Sequence, residues 1–240
     1  MFNRWFILVV LGVTITALAF VIYWDSRSPG DSETYKADSG EIRGNVAEPS
    51  PPSIDEQRVG YIHSVLDTLQ RSRTRLPYYG ELIRIYTDAG LPDSAAEYAA
   101  RRARLTEDRE DYILAAGLYF EAAGKEEGDT AIKSLAQKAE SLYIKALEAG
   151  PEDPGLRTDL AAVYLSLLMP EKAYEALDKA LETDPGSIRA HFNMAVLLHQ
   201  TGNTDESVAY FDKTLSLAEN SEWEQVVQGY LDRYHHELFH

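Results

Sequence analysis

Residues 154–187 read "PGLRTDLAAVYLSLLMPEKAYEALDKALETDPGS". Leu160, Ala161 and Tyr164 fall on one side of a helix, and Ala173, Leu177 and Ala180 fall on one side of a second. The small Ala161 and Ala173 let two antiparallel helices approach closely, while Leu160, Tyr164 and Leu177 fill the space around that contact. Pro185 stops the second helix. The stretch therefore reads as one helix-turn-helix unit of 34 residues.

The unit recurs. A shift of 34 residues lands on Met194, Ala195, Leu198, Gly202, Ser207 and Phe211, with Gly202 in the interhelix turn. Upstream, Tyr112, Ala115, Ala116 and Tyr119 open another copy, whose second half, Ala139, Tyr143, Ala146 and Pro151, arrives 11 residues late. Eleven residues are close to three turns, so a second helix extended at its N-terminus keeps its apolar face in phase. Ile132, Leu135, Ala136, Ala139, Leu142, Tyr143, Ala146 and Leu147 share that stripe, Asp129 is placed to cap it, and Gly150-Pro151 to end it. A further copy begins near Leu76 with Tyr79, Leu82, Tyr86 and Gly90. Its second helix is carried either by Ala95 and Ala99 or by Ala96, Ala100 and Ala103, and it has no closing proline.

Large, Leu, small and Tyr, followed by Ala, aromatic, Ala and Pro, is the order of the tetratricopeptide repeat, and the chain resembles that family over residues 76–220. The resemblance implies an all-α fold, a TPR-like α-solenoid of antiparallel helix pairs, with units at about 76–108, 109–153, 154–187 and 188–220. Residues 54–75 supply a packing helix ahead of the array, with Val59, Ile62, Leu66 and Leu69 on one face. Residues 221–240 supply a capping helix: Ser221 and Glu224 fit a capping box, and Trp223, Val226, Val227, Tyr230, Tyr234 and Leu238 form its apolar stripe.

At the other end, residues 5–24, "WFILVVLGVTITALAFVIYW", run without a charge. About 20 residues at 1.5 Å each cross a hydrocarbon core, so 1–24 reads as a transmembrane signal-anchor flanked by interfacial Trp5, Tyr23 and Trp24. A cleaved signal peptide is the alternative, because Ala17-Leu18-Ala19 resembles a cleavage site; the run continues apolar past it, which favours the anchor. Arg4 precedes the run and Asp25, Arg27 and Asp31 follow it. That balance places the N-terminus in the cytoplasm and the repeat domain outside it, in the periplasm if the cell is bacterial. Residues 25–53, rich in Ser, Pro, Gly and charge, read as a disordered linker with a reach on the order of 30 Å.

The chain of 240 residues carries a net charge of -16, which opposes nucleic acid and anionic surfaces, so no nucleic-acid partner is expected. It has no cysteine, which removes disulfides, thiolate chemistry and Cys-ligated metal. The last residues, His236-Glu237-Leu238-Phe239-His240, spell the H-E-x-x-H zinc pattern. A third ligand and further catalytic groups would have to follow, and His240 sits at a fraying helix end. Gly-rich phosphate loops, nucleophile elbows and dinucleotide fingerprints are missing as well, so no enzyme, no cofactor and no metal site is expected. His191 takes the place of the repeat's large aromatic and reads as a packing residue, and His63 as a surface one.

In the family that this chain resembles, first helices of successive units line a concave binding face. Carried over, the groove positions are Arg84 and Thr87; Ile113, Gly117 and Phe120; Thr158, Ala162 and Leu165; and Phe192, Val196 and His199. They are mainly apolar. Only Arg189 and Asn193 resemble the residues with which some members clamp a terminal carboxylate, so the expected partner is a protein or peptide presenting an apolar segment or amphipathic helix, anchored by Phe120, Leu165 and Phe192. Equally compatible with the sequence is a groove filled by the protein's own flanking helices. The expectation is a membrane-tethered, non-catalytic scaffold for assembly of a membrane or secreted complex. A cytosol-facing anchored receptor is the second reading, and a zinc metallopeptidase the third.

Overall fold

A computed structural model describes residues 54–69, 73–150, 152–219 and 221–239, with the side chains of 222 and 234–239 outside the description. The apolar run 5–24 and the segment 25–53 lie outside the described residues.

The described residues are helical apart from short turns. Helix α1 (Glu56–Thr68) and a 3-10 turn (Arg73–Arg75) lead into four antiparallel pairs. These are α2 (Leu76–Asp88) with α3 (Pro92–Thr106), α4 (Arg109–Lys125) with α5 (Asp129–Glu148), α6 (Pro154–Ser166) with α7 (Pro170–Thr183), and α8 (Ile188–Gln200) with α9 (Thr204–Ala218). Helix α10 (Glu222–Phe239) closes the array.

Local chemistry sets the helix starts. Pro92, Pro154 and Pro170 occupy first positions, where the missing N–H costs nothing. Asp55, Asp108, Asp153 and Ser187 cap α1, α4, α6 and α8 by accepting first-turn amides. Asp129 does not take the capping role that its sequence position suggests: Gly128 is the N-cap residue of α5, and Asp129 stands in the first turn, where its charge favours the helix dipole.

The turns inside three pairs have one geometry. Leu91, Met169 and Asn203 donate their amides to Tyr86, Tyr164 and Leu198 carbonyls at 2.9, 2.9 and 2.8 Å. The residue before each is left-handed: Gly90 at φ +70, Gly202 at φ +83, and Leu168 at φ +57. Glycine adopts this conformation freely, whereas a leucine there is strained. Leu168 is also 80% exposed.

Packing follows the small residues. Ala161, Ala173, Leu177 and Ala180 are fully buried, and they belong to one apolar cluster that runs from Ile83 to Leu198. Both candidate stripes of α3 are buried at once: Ala95, Ala96 and Ala103 at 0%, Ala99 at 1% and Ala100 at 5% exposure. A helix that meets neighbours on two sides needs both. Ile62 and Leu66 of α1 pack on Tyr79 and Leu82 as the N-terminal end-piece, and Val227 and Tyr230 of α10 pack on Phe192 and Phe211 as the C-terminal one. Ser221 departs from its predicted capping role, since its hydroxyl donates to the Ala218 carbonyl at 2.5 Å and so satisfies the end of α9. His63 is likewise not a plain surface residue: it is half-buried, 2.7 Å from the Tyr98 hydroxyl and stacked on that ring.

The insertion in the second pair is shared between its helices. Helix α4 has 17 residues where α2, α6 and α8 have 13, and α5 has 20 where α7 has 14. The sequence had placed the extension in the second helix alone. Ala122 and Ala123, each 3% exposed, carry α4 onward to match it.

Candidate partner-docking face

The eleven groove positions sit on α2, α4, α6 and α8, and their surroundings differ along the array. On α2, Arg84 and Thr87 are exposed, and Arg84 pairs with Asp88 of its own helix at 3.1 Å. On α4, Ile113, Gly117 and Phe120 recur at i, i+4 and i+7, one stripe of the helix, and all three are buried. On α6, Thr158 and Ala162 are buried and Leu165 is half-buried. The Thr158 hydroxyl is spent inside its own helix, donating to the Pro154 carbonyl at 2.8 Å.

On α8 the cover is visible. Phe192 lies edge-on to Tyr230 at 5.6 Å and beside Trp223 at 5.9 Å, while His199 meets the Tyr230 ring at 6.1 Å. Val196 joins the same cluster. The last first-helix is thus closed by α10, and Phe192, expected as a partner anchor, is an anchor for the protein's own cap.

The face also holds charged groups that periodicity did not single out. Asp159, 1% exposed, forms an ion pair with Arg189 of the next first-helix, and Arg189 donates as well to the Gly155 carbonyl at 3.3 Å. A guanidinium held this way is engaged before any carboxylate ligand arrives, which weakens the clamp reading further. Glu121 is 7% exposed and pairs with Lys125 at 3.0 Å. The signal that could have found Asp159 was the repeat register: it occupies, one unit earlier, the place of buried Asn193.

Two further contacts tie successive pairs. Tyr119 donates its hydroxyl to Glu97 at 2.9 Å, and burial together with that carboxylate pushes the phenol well above its ordinary range. Arg109, at the start of α4, reaches Asp153, the cap of α6, at 2.8 Å. Burial pulls the Asp153 carboxyl upward, but the hydrogen bonds from Arg109 and the Leu156 amide outweigh it and hold the group below the usual carboxylate range.

His191 packs rather than ligates: its Nε2 is 3.0 Å from the Pro185 carbonyl and its ring leans on Tyr210. Among the described residues no group of three or more potential metal ligands comes together, and no helix is long and apolar enough to cross a membrane. His236 and His240 fall outside the residues whose side chains are described.

Residues 169–228 match the tetratricopeptide repeat family, which places α7, α8, α9 and the start of α10 within its pattern. The fold is similar to that of a thermophilic TPR protein of Thermus thermophilus, with a TM-score of 0.54 and 21% identity over 76% of this chain and 89% of that one. MamA aligns with a TM-score of 0.47 and 26% identity over 68% of this chain and 84% of its own. YrrB, described as a TPR protein with an unusual peptide-binding site, aligns with a TM-score of 0.45 and 19% identity over 76% and 88%. No curated protein matches the sequence. The array of α2 to α9 is an all-α, TPR-like solenoid.

Proposed function

We propose that this protein is a non-catalytic docking scaffold, held at a membrane by residues 5–24, whose first-helix face grips an apolar segment or amphipathic helix of a protein partner. The observation that carries this reading is the composition of that face in the middle of the array. Ile113, Gly117 and Phe120 on α4 and Thr158, Ala162 and Leu165 on α6 offer almost no hydrogen-bonding group to a ligand, so shape and apolar area are what they can recognise. The Thermus thermophilus protein lends the precedent of the fold; the partner chemistry comes from this chain's own residues.

The apolar run and its flanking charges support a single-pass anchor with the array on the extracytoplasmic side, where a cysteine-free chain is insensitive to the oxidising environment. Assembly of a membrane or secreted complex is the activity that suits such a tethered scaffold. Photo-crosslinking from Leu165, in membranes, tests the docking face directly. Capture of a protein through an apolar segment is expected, and capture of none above the level seen from exposed Ala209 would sink the reading. Protease digestion of residues 25–53 in sealed vesicles tests orientation, and cleavage only from the cytosolic side would reverse it.

A further inference from the structure

We infer that residues 5–24 dock lengthwise on the first-helix face of their own array when no bilayer is available, and that membrane insertion vacates that face for the partner. This rests on the reading of that face as a docking surface and names its resident occupant.

The observation is the burial of α4. Residues Ala115 to Ala123 are buried without interruption, and nine residues at about 100° each sweep every side of a helix. Among the described residues, α4 packs against α3 and α5. Those neighbours account for the stripe of Tyr112, Ala116 and Tyr119. Tyr119 bonds Glu97 of α3, and Lys138 and Lys145 of α5 lie over the Tyr119 and Tyr112 rings. The stripe of Ile113, Gly117 and Phe120 lies about 100° further round the helix. It is just as dry, with Ile113 at 8% and Phe120 at 3% exposure, whereas Leu114, still further round, is 37% exposed. A face that excludes water needs an apolar cover.

The chain itself carries a fitting one. Of the segments outside the description, 1–53 is the only one longer than a few residues, apart from the end of α10, and α10 packs on α8 and α9. Within it, 25–53 is charged and polar, while 5–24 is uncharged, apolar and, as a helix, about 30 Å long. The intervening 29 residues have an r.m.s. reach on the order of 30 Å, so the run can return to the face without strain. The two locations compete. A bilayer covers the whole circumference of the segment and the face covers one side, so insertion prevails wherever a membrane is present.

The native absence of cysteine makes the test direct. In the full chain, Leu11, Gly12, Val13 and Thr14 are replaced by Cys in turn, which samples one helical turn. Each is combined with Ile113→Cys, with Leu165→Cys, or with the exposed control Ala209→Cys. The protein is synthesised without membranes and oxidised, then oxidised again after liposomes are added; far-UV helix content must equal that of the cysteine-free parent. A tethered thiol sees an effective concentration on the order of 1 mM, so a docked run should give at least about tenfold more intramolecular disulfide with position 113 or 165 than with 209. Addition of liposomes should abolish the excess. No excess at either position in the membrane-free protein overturns the inference, as does a disulfide that joins two copies or persists in liposomes. Flotation with liposomes is scored separately, so failure of the anchor is distinguished from failure of the docking.

Discussion

Asp153 offers a sharp test of how successive pairs are locked together. It caps α6 by accepting the Leu156 amide at 3.0 Å, and it receives Arg109 from 44 residues upstream at 2.8 Å. The Arg109 stem lies over Gly150, where an added Cβ would come within 2.4 Å of its Cδ. Asp153→Asn keeps the cap, because Asn serves as well as Asp, and loses only the charge. With the two side chains 21% and 36% exposed, the pair contributes at the upper end of the surface range, about 1 kcal/mol. Asp153→Ala also removes the cap, so its total should approach ~2 kcal/mol. Because the folded carboxyl is held below its unfolded value, its contribution is complete above about pH 4 and is lost as the pH falls through the folded value. Urea unfolding followed by far-UV circular dichroism should therefore show a gap between the parent and Asp153→Asn at pH 7 that closes towards pH 3. Gly150→Ala should cost about as much as Arg109→Ala, and little when added to it, since both displace the same guanidinium. A gap that is independent of pH, or additive Gly150 and Arg109 effects, would refute the lock.

Leu168→Gly should stabilise the array by about 0.5 kcal/mol, since relief of left-handed strain exceeds the added flexibility of the unfolded chain; a loss in denaturation midpoint would contradict this. Leu177→Ala, at a fully buried seam, should cost about 2–5 kcal/mol in the same assay. Tyr230→Ala should strip α10 from Phe192 and Phe211, raising amide exchange in α8 and α9 while α2 to α5 stay protected; uniform loss of protection would mean the array unfolds as one unit.

The helix pairs were legible because Ala, Leu and Tyr at helical spacing leave few alternatives, and because Gly90 and Gly202 mark turns that only a left-handed residue can make. Leu168 was not legible as such a residue, for nothing in its chemistry favours that conformation; only the register of the neighbouring units points to it. The length of α4 was hidden for a different reason. Ala122, Ala123 and Lys125 are good helix formers with no stop signal, so the insertion could be assigned to either helix. The docking face was legible as positions but not as surroundings. Phe120 and Phe192 look alike in sequence, yet the ring contacts that enclose Phe192 come from Trp223 and Tyr230, residues that belong to another helix and whose direction periodicity does not fix.

The small cluster that seats α1 has a mechanical consequence. Ile62 and Leu66 hold that helix to Tyr79 and Leu82, backed on the surface by Arg58 and Glu81 at 2.6 Å, whereas the central cluster spans α2 to α8. Tension entering the chain at Ile54 meets α1 before anything else, so a pull from the N-terminal side peels away one short helix and spends its work there. The pairs behind it stay in register, shielded by an element that yields first and can re-form when the load drops.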